Sequence, residues 1–266
     1  MLNQERIQEL LTSSFFGRYL YIFPEVDSTN VAAREKAKEG APEGSVVLAD
    51  YQNSGRGRLG RVWESEPGKN ILMSIILRPR ISIQAARCIT LATATILIRA
   101  LKVFLKIYGI KNAELEVKWP NDILLNGKKV AGILTESSIN NQSIEYLISG
   151  IGINVNQKSV GFSEEIQKTA ISLFDVAGRH IERESLVAQI LSMFEKQYIR
   201  LERTNYADIV TDWKVHWRMV GRAAKIETPV AKELGELIDI NTNGSLLYKT
   251  EDGLIKELVT GNVYPE

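Results

Sequence analysis

The pair Asn126-Gly127 constrains this chain more than any other two residues. It separates "DILL" from "KKVAGIL". Both central positions of a type I′ turn need positive φ, and Asn followed by Gly meets that demand. Two antiparallel strands must therefore flank it, in the register that the turn sets. The run "IEYLISGIGINVN" follows as another strand, so a three-stranded meander is expected here.

Earlier segments extend the same picture. "GRYLYIFPEV", "SVVLADYQ" and "NILMSIILRP" read as strands by their apolar content and length. Helical patterns cover 2–14, the stretch that opens at "DSTN" and closes at Gly40-Ala41-Pro42, 82–108, 184–203 and 206–217. Near Met219 the pattern changes to short strands with turns at Asn243-Gly244 and Asp252-Gly253. This predicts two domains, 1–218 and 219–266, the second a small β-barrel.

Composition bounds the function. The 266 residues carry a formal net charge of +1, which argues against bulk nucleic-acid binding. One cysteine, Cys88, and two histidines, His180 and His216, supply neither a disulfide nor a usual zinc ligand set. The N-terminal "MLNQERIQEL" is charged and lacks the apolar core of a signal peptide. The apolar run "CITLATATILI" is shorter than the roughly 20 residues of a membrane span and reads as a buried helix. A cytoplasmic protein without a membrane partner is the expectation.

The stretch "ADYQNSGRGRLGRVW" contains Gly55-Arg56-Gly57-Arg58-Leu59-Gly60, which imitates the dinucleotide fingerprint G-x-G-x-x-G. That fingerprint needs a helix directly after the glycines. Pro67, Gly68 and Asn70 stand where the helix would continue, so the context fails. Three arginines around three glycines suit an anion instead. Glycine lets backbone N–H groups approach it, and arginine supplies forked donors. The expectation is an anion-binding loop that is mobile when empty; the plainer alternative is a solvated basic turn.

A second anchor is "VKWPNDILLNGKKVAGILTE". Lys118 to Asp122 turn at a proline, and Lys128 and Lys129 open the next strand. Side chains alternate along a strand, so one lysine can face a site while the other faces away. Alternation does not say which, and both could be surface lysines.

Taken in order, "DSTN", "DYQNSGRGRLGRVW", "VKWPNDILLNGKKVAGILTE" and "ISGIGINVN" closely resemble biotin protein ligases. The resemblance is strongest from Phe23 to Asn156. It implies an α+β fold, a mixed β-sheet flanked by helices, with an SH3-like barrel at the C-terminus. It implies ATP-dependent activation of biotin as biotinyl-5′-AMP, then transfer to a lysine of a biotin carboxyl carrier domain, with Mg²⁺ on the ATP phosphates. Arg58 and Lys129 match the charged residues of the reacting centre. Ser28, Thr29, Asn30 and Gln52 match the biotin ring end, with Gly132 and Gly150 admitting the ligand. Arg56 and Gly57 match the closing loop. Arg61, Asn121 and Asn154 match positions near the phosphates and adenine. Trp63 and Trp119 are candidate walls, with core packing the favoured role for both. "KTAISLFDVAGRHI" aligns with the adenylate-covering loop, but Ala170 stands where some members carry an aromatic residue. The short segment before the first strand predicts a ligase without a DNA-binding domain and without specific DNA binding. A homodimer through paired sheet edges is compatible with the resemblance. A lipoate ligase and a non-catalytic biotin-responsive regulator are the competing readings.

Overall fold

The computed structural model describes residues 1–111, 113–203, 208–228 and 231–265. Seven strands form the main sheet: β1 (Leu20–Phe23), β2 (Val46–Ala49), β3 (Ile71–Leu77), β4 (Leu115–Lys118), β5 (Asp122–Leu125), β6 (Lys128–Asn140) and β7 (Ser143–Ile153). Their spatial order is β1-β2-β3-β7-β6-β5-β4. β1 and β2 are parallel and every other pair is antiparallel, so the sheet is mixed. Asn126 (φ 51) and Gly127 (φ 77) both take the left-handed conformation that the β5–β6 turn requires.

Strand alternation sorts the sheet into two faces. Val46 and Leu48 of β2, with Ile71, Met73, Ile75 and Leu77 of β3, enter the large core. Above them lie α1 (Gln4–Leu10), α3 (Ala86–Ile107), α6 (Arg183–Arg203) and α7 (Ile209–Lys214). Val47 and Ile76 point the other way, against Ala33 and Ala37 of α2 (Thr29–Lys38). Two short helices, α4 (Glu164–Gln167) and α5 (Leu173–Ala177), follow β7. A capping box between Ser172 and Asp175 starts α5.

Helix α3 is longer than the apolar run suggests. At 22 residues and a mean hydropathy of 1.8 it could span a membrane by length and composition, yet 78% of that window is buried inside the fold. Helix α1 is shorter than the 2–14 pattern, and the start expected at residue 206 lies outside the described residues.

The C-terminal strands β8 (Ala223–Glu227), β9 (Lys232–Ile240), β10 (Leu246–Thr250), β11 (Ile255–Leu258) and β12 (Asn262–Pro265) form an antiparallel sheet in the order β11-β10-β9-β8-β12. Its inner side chains, among them Ile226, Leu237, Leu246 and Val263, continue the core of the main sheet. Trp119 Nε1 donates to Gly244 O at 2.9 Å across the junction. Trp119 is 3% exposed, so core packing is its place.

Candidate active site

Register builds a cleft on the α2 face of the sheet. Leu72 of β3 pairs with Gly152 of β7, which pairs with Gly132 of β6. Two residues along, Ser74, Gly150 and Leu134 form the next row. Glycines side by side leave a trough where side chains would otherwise stand. The Trp63 ring occupies one part of it: a Cβ on Gly152 would come within 2.5 Å of the ring, and one on Gly132 within 3.0 Å. Trp63 is therefore a wall of the cleft and not a core residue, against the sequence expectation. The cleft spans about 750 Å³, part of it open to solvent.

One end of the trough is neutral and polar. Asn30 Nδ2 donates to Glu136 Oε2 at 2.6 Å and to Leu134 O at 3.1 Å. Ser74 Oγ lies 2.7 Å from Asn30 Oδ1 and 2.8 Å from Thr29 Oγ1. The Thr29 amide and hydroxyl both reach Gln52 Oε1, at 2.7 and 2.9 Å, which leaves the Gln52 amide nitrogen able to donate elsewhere. Ser28 occupies the N-cap of α2 but makes no side-chain cap bond, so its capping role is not realised. It lines the cleft together with Thr29 and Asn30. Sequence reasoning missed Ser74, although it is the one polar residue in "ILMSIIL".

The other end is cationic. Lys129 Nζ lies 2.7 Å from Asp122 Oδ1 and 5.5 Å from the Trp63 ring centroid. A bulge brings it there. Ile123 pairs with Ala131 and Leu124 with Lys129, so Val130 is the extra residue. Counting back by twos from Gly132 would put Lys128 on the cleft face. The added residue puts Lys129 there instead, and Lys128 is exposed. Arg58 Nη1 donates to Asn121 Oδ1 and Gly261 O, both at 3.3 Å. Burial lowers the Arg58 pKa from its ordinary value, opposed by Asp122 and reinforced by Arg61. Lys118, which sequence reasoning passed over as a site residue, is lowered by burial too; Asp122 opposes this while Lys129 and Arg61 add to it. Three cations, Lys129, Arg58 and Lys118, thus converge on Asp122, and Arg61 lies near two of them. Among the described residues no group of three or more His, Cys, Asp or Glu is placed to hold a metal.

The glycine–arginine stretch forms a hairpin. Gly57 N donates to Arg61 O at 2.7 Å, Trp63 N to Gly55 O at 2.9 Å, and Arg56 bridges Val62. No α-helix follows, so the dinucleotide reading fails on structure as well as on sequence. The loop's glycines serve unequally. A Cβ on Gly55 would lie 2.4 Å from Trp63 O, whereas one on Gly57 would meet only ordinary contacts. Leu59, a non-glycine, takes φ 54. Arg56, Gly57, Arg58 and Arg61 all line the cleft.

Asn154 and Ala170 lie elsewhere. Asn154 is 3% exposed, does not line the cleft, and donates from Nδ2 to Ile171 O and Lys129 O at 3.2 and 3.4 Å. It braces the backbone beneath Lys129. Ala170 is buried, and its segment pairs with the start of β6 through Lys129 N to Thr169 O (2.7 Å) and Ile171 N to Lys129 O (3.0 Å).

The model of the biotin/lipoate A/B protein ligase family matches residues 22–154, the stretch that supplies most of the cleft. The bifunctional ligase/repressor BirA of Bacillus subtilis is 36% identical over 255 residues, 96% of this chain and 77% of the relative. The biotin--[acetyl-CoA-carboxylase] ligase of Mycobacterium tuberculosis is 28% identical over 249 residues, 92% of this chain and 89% of the relative. The biotin protein ligase from Aquifex aeolicus, solved with biotin and ATP, superposes with a TM-score of 0.74 at 28% identity, covering 94% of this chain and 99% of that one. By family model, sequence and fold alike, the chain belongs to the biotin/lipoate A/B protein ligase family.

Proposed function

We propose that this protein activates biotin with ATP and transfers it to a lysine of a carboxylase's biotin carboxyl carrier domain. One observation carries the reading: the order of chemistry along the trough. From the Ser74–Gly150 row to Lys129 the cleft passes from neutral hydrogen-bonding groups, through Leu72, Trp63 and two glycines, to a cluster of cations. Biotin has the same order: a neutral ureido ring, an aliphatic chain and a carboxylate. Ser28, Thr29, Asn30 and Gln52 match the ring's donors and acceptors, whose burial needs hydrogen bonds. Trp63 and Leu72 cover the chain.

The cations account for the reaction. A carboxylate and a triphosphate repel one another, and attack needs them held within roughly 3–3.5 Å. Lys129 and Arg58 neutralise the biotin carboxylate and the α-phosphate where they meet. A carboxylate oxygen bonds to the α-phosphorus, the bond to the bridging oxygen breaks, and pyrophosphate leaves. The carrier's lysine amine then attacks the acyl carbon, AMP departs with the bonding electrons, and the amine proton passes to solvent. Fixed donors favour the charge that develops on phosphorus oxygens more than the ground state. Arg61 and Lys118 face the remaining phosphates, and Asn121 steadies Arg58. Asp122 is the carboxylate suited to an ATP-bound Mg²⁺, which usually takes one or two carboxylates plus phosphate oxygens. Asn154 supports Lys129 from behind the strand.

Incubation with biotin, ATP and a carrier domain, read by avidin blot, tests the reading. Modification that requires both biotin and ATP is expected. Transfer of lipoate but not biotin would assign the other substrate of the family.

A further inference from the structure

The segment 261–264, which leads into and forms β12, touches Arg58, Arg61 and Lys118. Gly261 O accepts from Arg58, Asn262 lines the cleft, and Tyr264 sits between Arg61 and Lys118. Arg61 Nη2 donates to Tyr264 Oη, and its Cζ lies 5.8 Å from the ring centroid. Lys118 Nζ lies 5.2 Å from the same centroid. Tyr264 Oη donates in turn to Glu227 Oε2 at 3.2 Å, a carboxylate 4.0 Å from Arg61. Strand pairing fixes the ring, since Tyr264 of β12 stands opposite Lys225 of β8.

Two long cationic side chains that share one aromatic ring would otherwise repel and wander. The ring's negative face attracts both, and the hydroxyl fixes the guanidinium in one orientation. Burial already disfavours the charge on Lys118, so a second site for that charge near the cleft has value. We propose that Tyr264 is a positioning residue for the ATP-dependent step: its ring and hydroxyl hold Arg61 and Lys118 converged at the cleft, so that a triphosphate meets two fixed cations. This rests on the ligase reading above. It gives the C-terminal sheet a part in nucleotide use that does not involve the carrier protein.

The test compares Tyr264→Ala and Tyr264→Phe in biotin-dependent ATP–pyrophosphate exchange, with biotin binding titrated in the absence of ATP. Loss of the ring should raise KM for ATP roughly tenfold, a change worth about 1.4 kcal/mol, with kcat and biotin affinity little altered. The phenylalanine variant keeps the ring and should recover part of the loss. A wild-type KM for ATP in Tyr264→Ala overturns the proposal, as does a parallel fall in kcat and biotin affinity, which marks a merely structural role. If Tyr264→Ala does not fold, Tyr264→Phe decides, because removal of the hydroxyl must still raise KM. If the wild type shows no biotin-dependent exchange, the ligase reading fails on its own. Titration with a fluorescent ATP analogue then judges Tyr264: equal affinity in wild type and Tyr264→Ala, or no binding by either, overturns it.

Discussion

Replacing Gly150 with alanine tests how the neutral end of the cleft is built. A Cβ at Gly150 would lie 2.1 Å from Asn30 Oδ1 and 2.9 Å from its Cγ. Contacts under 3.0 Å essentially never occur, so the amide must withdraw by about 0.9 Å, the gap between 2.1 and 3.0 Å. It is not free to do so. Ser74 Oγ holds Oδ1 at 2.7 Å, and Nδ2 is held by Leu134 O at 3.1 Å and Glu136 Oε2 at 2.6 Å. Asn30 is 4% exposed and Ser74 0%, so water does not replace what is lost. One neutral bond and one bond to a carboxylate together cost about 2–4 kcal/mol. Ser74 can turn to Thr29 Oγ1 at 2.8 Å, which places Gly150→Ala in the lower half of that range. The assay is urea unfolding of the wild type, Gly150→Ala, Asn30→Ala and the double variant, with biotin binding by calorimetry. The three nearest atoms to the new methyl all belong to Asn30. The double variant should therefore be more stable than additivity predicts by about 1 kcal/mol or more. All three variants should bind biotin weakly. A single-variant cost below about 0.5 kcal/mol, or strict additivity in the double variant, would refute the packing argument.

Three further outcomes are expected. Lys129→Ala should lose adenylate formation by the equivalent of roughly 2.7–4 kcal/mol of barrier while thermal unfolding stays near wild type; unchanged turnover removes Lys129 from the reaction. Arg183→Met should destabilise by about 1.5–3 kcal/mol, because buried Asp50 loses the charged contact at 2.8 Å to Arg183 Nη1 and keeps the Leu2 amide at 3.2 Å; a denaturation midpoint close to wild type would contradict this. His216 is held at about 4, down from 6.5, by burial and by Lys102 and Arg99, with Asp212 opposing and Arg218 adding a smaller effect. The unfolded chain therefore takes up this proton first as pH falls. The associated stability is complete above pH 6.5 and is lost between there and pH 4, about 3 kcal/mol in all. His216→Gln should flatten that part of the stability–pH curve, and parallel curves for variant and wild type would rule the histidine out.

Local signals in the sequence were enough for the elements, and not for the contacts between them. Asn126-Gly127 sets both φ angles of its turn, so the β5–β6 hairpin was legible from two residues. The lysine that faces the cleft was not. Simple alternation from Gly132 selects Lys128, and the bulge at Val130 reverses the choice. Only the resemblance to biotin ligases pointed to Lys129, because no composition rule locates a bulge in "KKVAGIL". Trp63 misled for a related reason. A tryptophan in an irregular stretch reads as core, and what makes it a wall is the pairing of Gly132 with Gly152, two residues twenty positions apart on different strands. Asn154 sits in a motif with site residues yet faces the backbone beneath them. Tyr264 could not be connected to Arg61 at all, since more than two hundred residues separate them and the contact depends on how two sheets meet.

The cleft is arranged at a cost to the folded chain. Arg58 and Lys118 are both buried enough for their charged forms to be disfavoured, and Asp122 is the carboxylate that opposes this for each. A chain selected for stability alone would place more acid among these cations, as it does on the surface, where Lys36 meets Glu39 and Lys256 meets Glu233. It would also not leave glycines at both Gly132 and Gly152 in adjoining strands, where larger side chains pack better. The first departure disappears as an anomaly once an anionic ligand occupies the trough, because the missing negative charge is then the carboxylate and phosphates. The second is explained by Trp63, whose ring fills the space over both glycines and walls the trough. The same logic of charge explains why Arg58 is held by the neutral groups Asn121 and Gly261 O, and why Tyr264 stands between Arg61 and Lys118. A carboxylate at those positions would compete with the substrate for the charge, whereas a carbonyl or a ring orients the cation and leaves its charge available.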